Sequence, residues 1–288
     1  MKTDTEMVVR HELVATAAAP RSDTPPRAAH WLSGIVAALM LAASAAGLLV
    51  DGLYADAAWA REALRGGDLA TLVVAAPLLA ISLALSIRGS QRAHVIWIAM
   101  LGYAVYNYGY YVFGSEWNDV FLLHIAILSL SIIALISATR GIDARAIAAR
   151  LRRPAAARWV GAFLLLVGIG QGALWVFVVL RYALTGELLQ EVPVDGQHLV
   201  FAMDLSLLVP ALVIGGLLLL RRTTTGYVLG TAVAVFGFIY QLNMMMAGVF
   251  QESARVAGAK MFPIEGLVLT AGLAAASAAM LLHRERTG

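Results

Sequence analysis

Eight apolar runs of about 20 residues constrain this chain more than any other feature. A helix crossing about 30 Å of hydrocarbon needs roughly that length. The runs lie near 31–50, 69–87, 94–113, 118–137, 159–180, 199–220, 226–249 and 263–282. Lipid offers no partner to backbone N–H and C=O groups, so such runs must be helices. Composition agrees: 60% of the 288 residues are apolar and 14% charged, against about 25% charged in a soluble domain. The predicted fold is all-α, a polytopic bundle of eight transmembrane helices in a lipid bilayer.

Loop charges predict the orientation. With the N-terminus in the cytoplasm, sixteen of the 21 basic residues fall on the cytoplasmic side. They are Lys2, Arg10, Arg21, Arg27, Arg88, Arg92, Arg140, Arg145, Arg150, Arg152, Arg153, Arg158, Arg221, Arg222, Arg284 and Arg286. Arg61, Arg65, Arg181, Arg255 and Lys260 remain outside. This asymmetry places both termini in the cytoplasm. The Ala- and Arg-rich composition fits a bacterial chain, for which the inner (plasma) membrane is expected. Arginines confined to short loops speak for topology and against nucleic acid as a partner. The absence of cysteine excludes thiolate metal sites, disulfides and cysteine nucleophiles.

Five segments follow: a cytoplasmic tail over 1–30, a first transmembrane half over 31–140, a basic linker over 141–157, a second half over 158–283 and a short tail over 284–288. In the linker, Ile142, Ile147 and Leu151 alternate with arginines before Pro154, which predicts a short helix on anionic lipid headgroups. The two halves read as a repeat of four helices plus four. Asp68-Leu69 is followed by Pro77 and Arg88, and Asp204-Leu205 by Pro210 and Arg221. Tyr106-Asn107 in the third run corresponds to Tyr240-Gln241 in the seventh. Ala28-Ala29-His30-Trp31 corresponds to Ala156-Ala157-Arg158-Trp159. Four helices per half imply parallel halves, related by an axis along the membrane normal.

Polar side chains inside the runs fall almost entirely in their outer halves. Tyr103, Tyr106, Asn107 and Tyr110 recur at i, i+3, i+4 and i+7, one face of a helix. His124, Gln171, Trp175, Asp204, Tyr240, Gln241, Asn243 and Glu265 lie at comparable depths. Because polar groups in hydrocarbon need partners, these residues predict an outward-facing polar cavity. Asp204, His124, Glu265, Asn107 and Gln241 should converge on it, with Tyr106, Tyr240, Asn243 and Trp175 as further ligand-binding candidates. The bland alternatives are helix-terminal carboxylates, a packed histidine and an interfacial Tyr belt at Tyr110 and Tyr111. Gly168-Ile-Gly-Gln-Gly172 permits close helix packing.

A carboxylate pair with amides and aromatic rings suits a small polar or cationic solute, in a carrier or a sensor. A structural or assembly subunit of a membrane complex, acting through a protein partner or as a homo-oligomer, is the second reading. A membrane redox or lipid-modifying enzyme is the third. No catalytic motif is present, and no motif requires a cofactor. His124, Asp204 and Glu265 are the only candidate metal ligands, without a metal-site spacing. Paired histidines for haem are absent from the runs.

Tyr106-Asn-Tyr-Gly-Tyr-Tyr-Val-Phe-Gly114, Asn118 and Phe121-Leu-Leu-His124 resemble a family of uncharacterised bacterial polytopic membrane proteins. Asp204-Leu-Ser-Leu-Leu-Val-Pro210, Arg221-Arg222 and Gly226-Tyr-Val-Leu229 resemble the same family. The resemblance implies an eight-span membrane fold and no particular activity.

Overall fold

The structure is a computed structural model that describes residues 27–140, 142–187 and 194–282. Most of the expected N-terminal tail, and the C-terminal tail, lie outside these residues. Among the described residues all regular structure is helical. The helices are α1 (Arg27–Leu49), α2 (Ala58–Ile87), α3 (Gln91–Gly114), α4 (Phe121–Arg140) and the short α5 (Ala144–Leu151). Then come α6 (Pro154–Thr185), α7, α8 (Thr224–Ser253) and α9 (Ile264–Leu281). Helix α7 is built from Val194–Met203, a π turn at Asp204–Leu208 and Val209–Leu220.

Among the described residues seven helices are long and apolar enough to cross a membrane, which makes this an integral membrane protein. Helix α3 is not among them. It is 24 residues long, but five tyrosines, His94 and Asn107 lower its hydropathy. Most of its residues are buried among the other helices, so it needs no lipid-facing apolar surface.

The buried stripe of α1 is mostly small: Ala29, Ser33, Ala37, Ala43, Ser44 and Gly47 recur at helical spacing, with Val36 and Met40 the larger members. It packs on α4 through Ile127, Ser131, Ala134 and Ala138. Small residues let backbones approach when lipid gives no hydrophobic drive. Helices α6 and α7 use the same device. A Cβ on Gly161 would meet the Gly216 carbonyl at 2.8 Å, and one on Gly168 would meet the Leu212 Cβ at 2.9 Å. Large apolar side chains such as Leu166, Ile169, Phe177 and Leu184 point outward instead.

In the first half α1 packs on α2 and α4, α2 on α3, and α3 on α4. In the second, α6 packs on α7 and α9, α7 on α8, and α8 on α9. Helix α8 joins the halves by packing on α2 and α3, and the start of α7 also packs on α3.

Two expectations need correction. Asp68 does not open α2; the helix begins ten residues earlier, at Ala58. Arg61, Glu62 and Arg65 lower the hydropathy of that stretch, yet they pair with one another. Arg61 Nε donates to Glu62 Oε1 at 3.0 Å, and Arg65 Nη1 lies 3.6 Å from Glu62 Oε2. The linker helix α5 forms as expected, capped by Asp143, which accepts from the backbone of Arg145 and Ala146. Its apolar face, however, does not lie on lipid. Ile147, Ala148 and Leu151 are buried, with α5 packed against α8 and α3. Arg145, Arg150 and Arg152 remain exposed on the other face.

Both α2 and α7 contain one π turn, at Thr71–Ala75 and Asp204–Leu208, and both turns precede a proline, Pro77 and Pro210. Proline cannot donate to the carbonyl four residues back, and its ring crowds that turn. The widened turn accommodates the defect, and such turns frequently mark functional sites.

Candidate functional site

Asp68 and Asp204 sit at these π turns, three residues before the first and at the start of the second. They are 1% and 2% exposed. Among the described residues neither forms an ion pair, and every hydrogen bond to them comes from a neutral donor.

Asp204 is held from three sides. The Tyr106 hydroxyl on α3 donates to Oδ1. On α6, Gln171 Nε2 donates to Oδ2 at 2.7 Å and Trp175 Nε1 at 2.8 Å. Gln171 and Trp175 stand one helical turn apart, so both reach the same oxygen. Aromatic rings enclose the site. Tyr106 meets Tyr110, Phe236 and Tyr240 edge-on at 5.4, 5.5 and 5.0 Å between centroids. Trp175 lies 4.4 Å from Phe201.

Asp68 is held by two phenols. Tyr54, in the α1–α2 turn, donates to Oδ2 at 2.7 Å. Tyr111 on α3 lies 3.0 Å from Oδ1 and 2.9 Å from the Leu64 carbonyl, which shares its single proton. Burial, and then the Asp68 charge beside it, push the Tyr54 phenol above its usual range, so it stays a donor.

A chain of polar groups lies between the two carboxylates. Asn243 Nδ2 on α8 donates to the Tyr103 hydroxyl at 2.7 Å and to Asn107 Oδ1 at 3.0 Å. Tyr103 in turn lies 3.0 Å from Thr71 Oγ1 in the first π turn. The polar face of α3 therefore serves both sites.

The structure brings some of the expected residues together and leaves others apart. Asp204, Tyr106, Trp175 and Tyr240 come together, and Asn107 pairs with Asn243 beside them. His124 is fully buried against Tyr108 and Tyr111, at 5.8 and 4.8 Å between ring centroids, on the Asp68 side. Glu265 is exposed in the first turn of α9, and Gln241 is half-buried; neither joins the bonding around Asp204. Gln241 follows Tyr240 directly yet does not reach the carboxylate, and Glu265 sits at the start of α9, whereas α9 meets α8 near the level of the site at Thr270 and Leu273. No group of three His, Asp or Glu able to hold a metal occurs among the described residues, so His124, Asp204 and Glu265 are not assembled as a ligand set. His30 and His94 both pack on Trp97, His30 tilted and His94 edge-on.

The cavity is also elsewhere. A space of about 210 Å³ lies between the end of α1, the following turn and the start of α2. Gly47, Val50, Asp51, Gly52, Leu53, Tyr54, Arg61 and Arg65 line it.

Sequence reasoning misses Asp68, Tyr54 and Tyr111 as site residues. Asp68 has a signal, its correspondence to Asp204 in the expected repeat. Tyr111 fits an interfacial belt equally well, but it is 2% exposed inside the bundle. Tyr54 lies outside every apolar run.

The fold and the paired carboxylates define a helical membrane protein with ionisable groups in its interior. No protein-family model matches the chain, and no curated protein and no solved structure is significantly similar to it.

Proposed function

We propose that this chain is a multi-pass protein of a bacterial inner membrane that binds a small cationic or polar solute at Asp204, as a carrier or the membrane part of a sensor. The bonding of Asp204 carries the reading. A carboxylate in a membrane interior is costly and is by default a functional group. Here three neutral donors orient it and leave its charge uncancelled. The faces of Tyr106, Tyr240 and Trp175 suit a desolvated cation, which interacts with aromatic rings at about 0.5–2 kcal/mol each.

The proposed architecture is eight spans, counting α3, with both termini cytoplasmic and the two halves as parallel repeats. Four observations support the repeat. Helix neighbours follow the same order in both halves. Each buried Asp stands at a π turn ahead of a proline. Tyr106 and Tyr240, matched in the alignment, touch each other. The residues preceding the aspartates, Gly67 and Met203, face Asn243 and Gly109, which lie three residues after Tyr240 and Tyr106. The relating axis would pass between α3 and α8. Helix α5, packed across both, would then lie at the cytoplasmic end of that axis.

The test uses the full chain in nanodiscs and its thermal-unfolding midpoint. Sodium, potassium, a quaternary ammonium and a primary alkylamine are the probes. At 100 times its Kd a bound cation stabilises by about 2.7 kcal/mol. At least one probe should raise the midpoint of the wild type and of Asp119→Asn, and leave Asp204→Asn unmoved. A flat wild-type response, or equal stabilisation of Asp204→Asn, overturns the reading.

A further inference from the structure

The cavity at the α1–α2 turn and the Asp68 carboxylate meet at Gly47. Gly47 lines the cavity, and a Cβ built on it would overlap Asp68 Oδ2 and come within 2.6 Å of the Tyr54 hydroxyl. Only the hydrogen of a glycine therefore separates the cavity wall from the carboxylate. Tyr54 also lines the cavity while donating to Asp68. We propose that Asp68 is a proton-exchange site, filled and emptied through this cavity with the Tyr54 hydroxyl as relay.

The step balances without another reactant. A hydronium ion in the cavity gives a proton to the Tyr54 oxygen as the phenol proton passes to Asp68 Oδ2. Asp68 becomes a neutral acid, Tyr54 is regenerated, and water remains in the cavity. Release is the reverse.

The surroundings satisfy both protonation states. With Asp68 ionised, Tyr54 and Tyr111 donate to it. With Asp68 protonated, Tyr111 keeps the Leu64 carbonyl as acceptor at 2.9 Å, and Tyr54 can turn its proton toward the cavity. A buried donor left without an acceptor costs about a tenfold to hundredfold change in equilibrium, and neither state leaves one.

No neighbouring group locks Asp68 in one state. Helix α1 brings Ser44 and Gly47 and ends near Asp51, and the turn brings Tyr54 and Asp56. On α2 itself Arg61 and Arg65 are both paired with Glu62. Helix α3 presents Tyr103, Tyr108 and Tyr111, α4 presents His124, and α8 contributes the Asn243 amide. Ser44 Oγ and both His124 nitrogens are buried without a partner among the described residues. Polar groups of that kind are where buried water is held.

The proposal does not depend on the cation reading of Asp204, and infrared difference spectroscopy separates the two. The full chain in nanodiscs is compared in acidic and alkaline buffer, in H2O and in D2O. A carboxylic-acid carbonyl band should appear on acidification, shift in D2O, vanish in Asp68→Asn and persist in Asp204→Asn. Asp68→Glu, which keeps a carboxyl on the same turn, should retain a titrating band at a displaced frequency. Tyr54→Phe should keep the band but slow its appearance after a pH jump by about tenfold. An unchanged band in Asp68→Asn, no band in Asp68→Glu, or wild-type kinetics in Tyr54→Phe overturns the proposal.

Discussion

The two buried carboxylates stand at matched turns of α2 and α7, yet their surroundings differ in kind. Sixteen residues after the tryptophans that open the first helix of each half, Trp31 and Trp159, come Gly47 and Trp175. Gly47 leaves room above Asp68 for the Tyr54 hydroxyl and a cavity. Trp175, its counterpart in the proposed repeat, donates to Asp204 instead. One carboxylate consequently lies beside a cavity, separated from it by Gly47 and Tyr54, and the other lies behind aromatic rings. In the proposed repeat, this glycine-to-tryptophan difference would separate the proposed proton site from the proposed cation site. Helix α3 is common to both, supplying Tyr111 to Asp68 and Tyr106 to Asp204.

This contrast can be broken by removing each carboxylate. Asp204→Ala strands three donors and should lower the unfolding free energy in detergent by about 3 kcal/mol, at roughly 1 kcal/mol per hydrogen bond. Asp68→Ala should lower it by about 1–2 kcal/mol, because Tyr111 retains Leu64 and Tyr54 reaches the cavity. Equal losses, or a larger loss at Asp68, would show that the two environments are not different in the way described.

Gly47→Ala tests the open side directly. The added methyl must displace a carboxylate held by two phenols, and crowding of this kind costs about 1–3 kcal/mol. Gly34→Ala on the same helix meets open space and gives the baseline. If both variants unfold alike, Gly47 is not the element that holds the cavity against Asp68.

The smallest effects belong to carboxylates outside both sites. Asp119 and Glu265 are exposed, so Asp119→Asn and Glu265→Gln should change stability by no more than about 0.5 kcal/mol. A larger loss at Glu265 would return it to the site from which its position removes it.

Asp204, Tyr106 and Trp175 are legible in the amino-acid sequence, because depth along a helix follows from counting residues at about 1.5 Å each. Direction around the axis is not. Gln241 follows Tyr240 directly and still takes no part in the bonding around Asp204, since the facing side of a helix is decided by its neighbours. Asp68 is obscured for a different reason. Three charged residues ahead of it, Arg61, Glu62 and Arg65, lower the local hydropathy, yet they pair with one another and the helix runs back to Ala58.

The helical class, the apolar segments and the short basic linker helix are written in the chain itself. Those follow from local requirements: a backbone in lipid must satisfy its own hydrogen bonds, and an apolar run must be long enough to span. Tertiary packing decides that Tyr106 reaches Asp204, 98 residues away, and that Asn243 reaches Asn107, 136 residues away. It also decides that α5 turns its apolar face inward and that Gly47 and Tyr54 stand between the cavity and Asp68. Each of these depends on the rotation and approach of packed helices, which is set by close contacts such as Gly161 on Gly216 and Gly66 on Ala247. Contacts of that range leave no periodic trace in either segment alone.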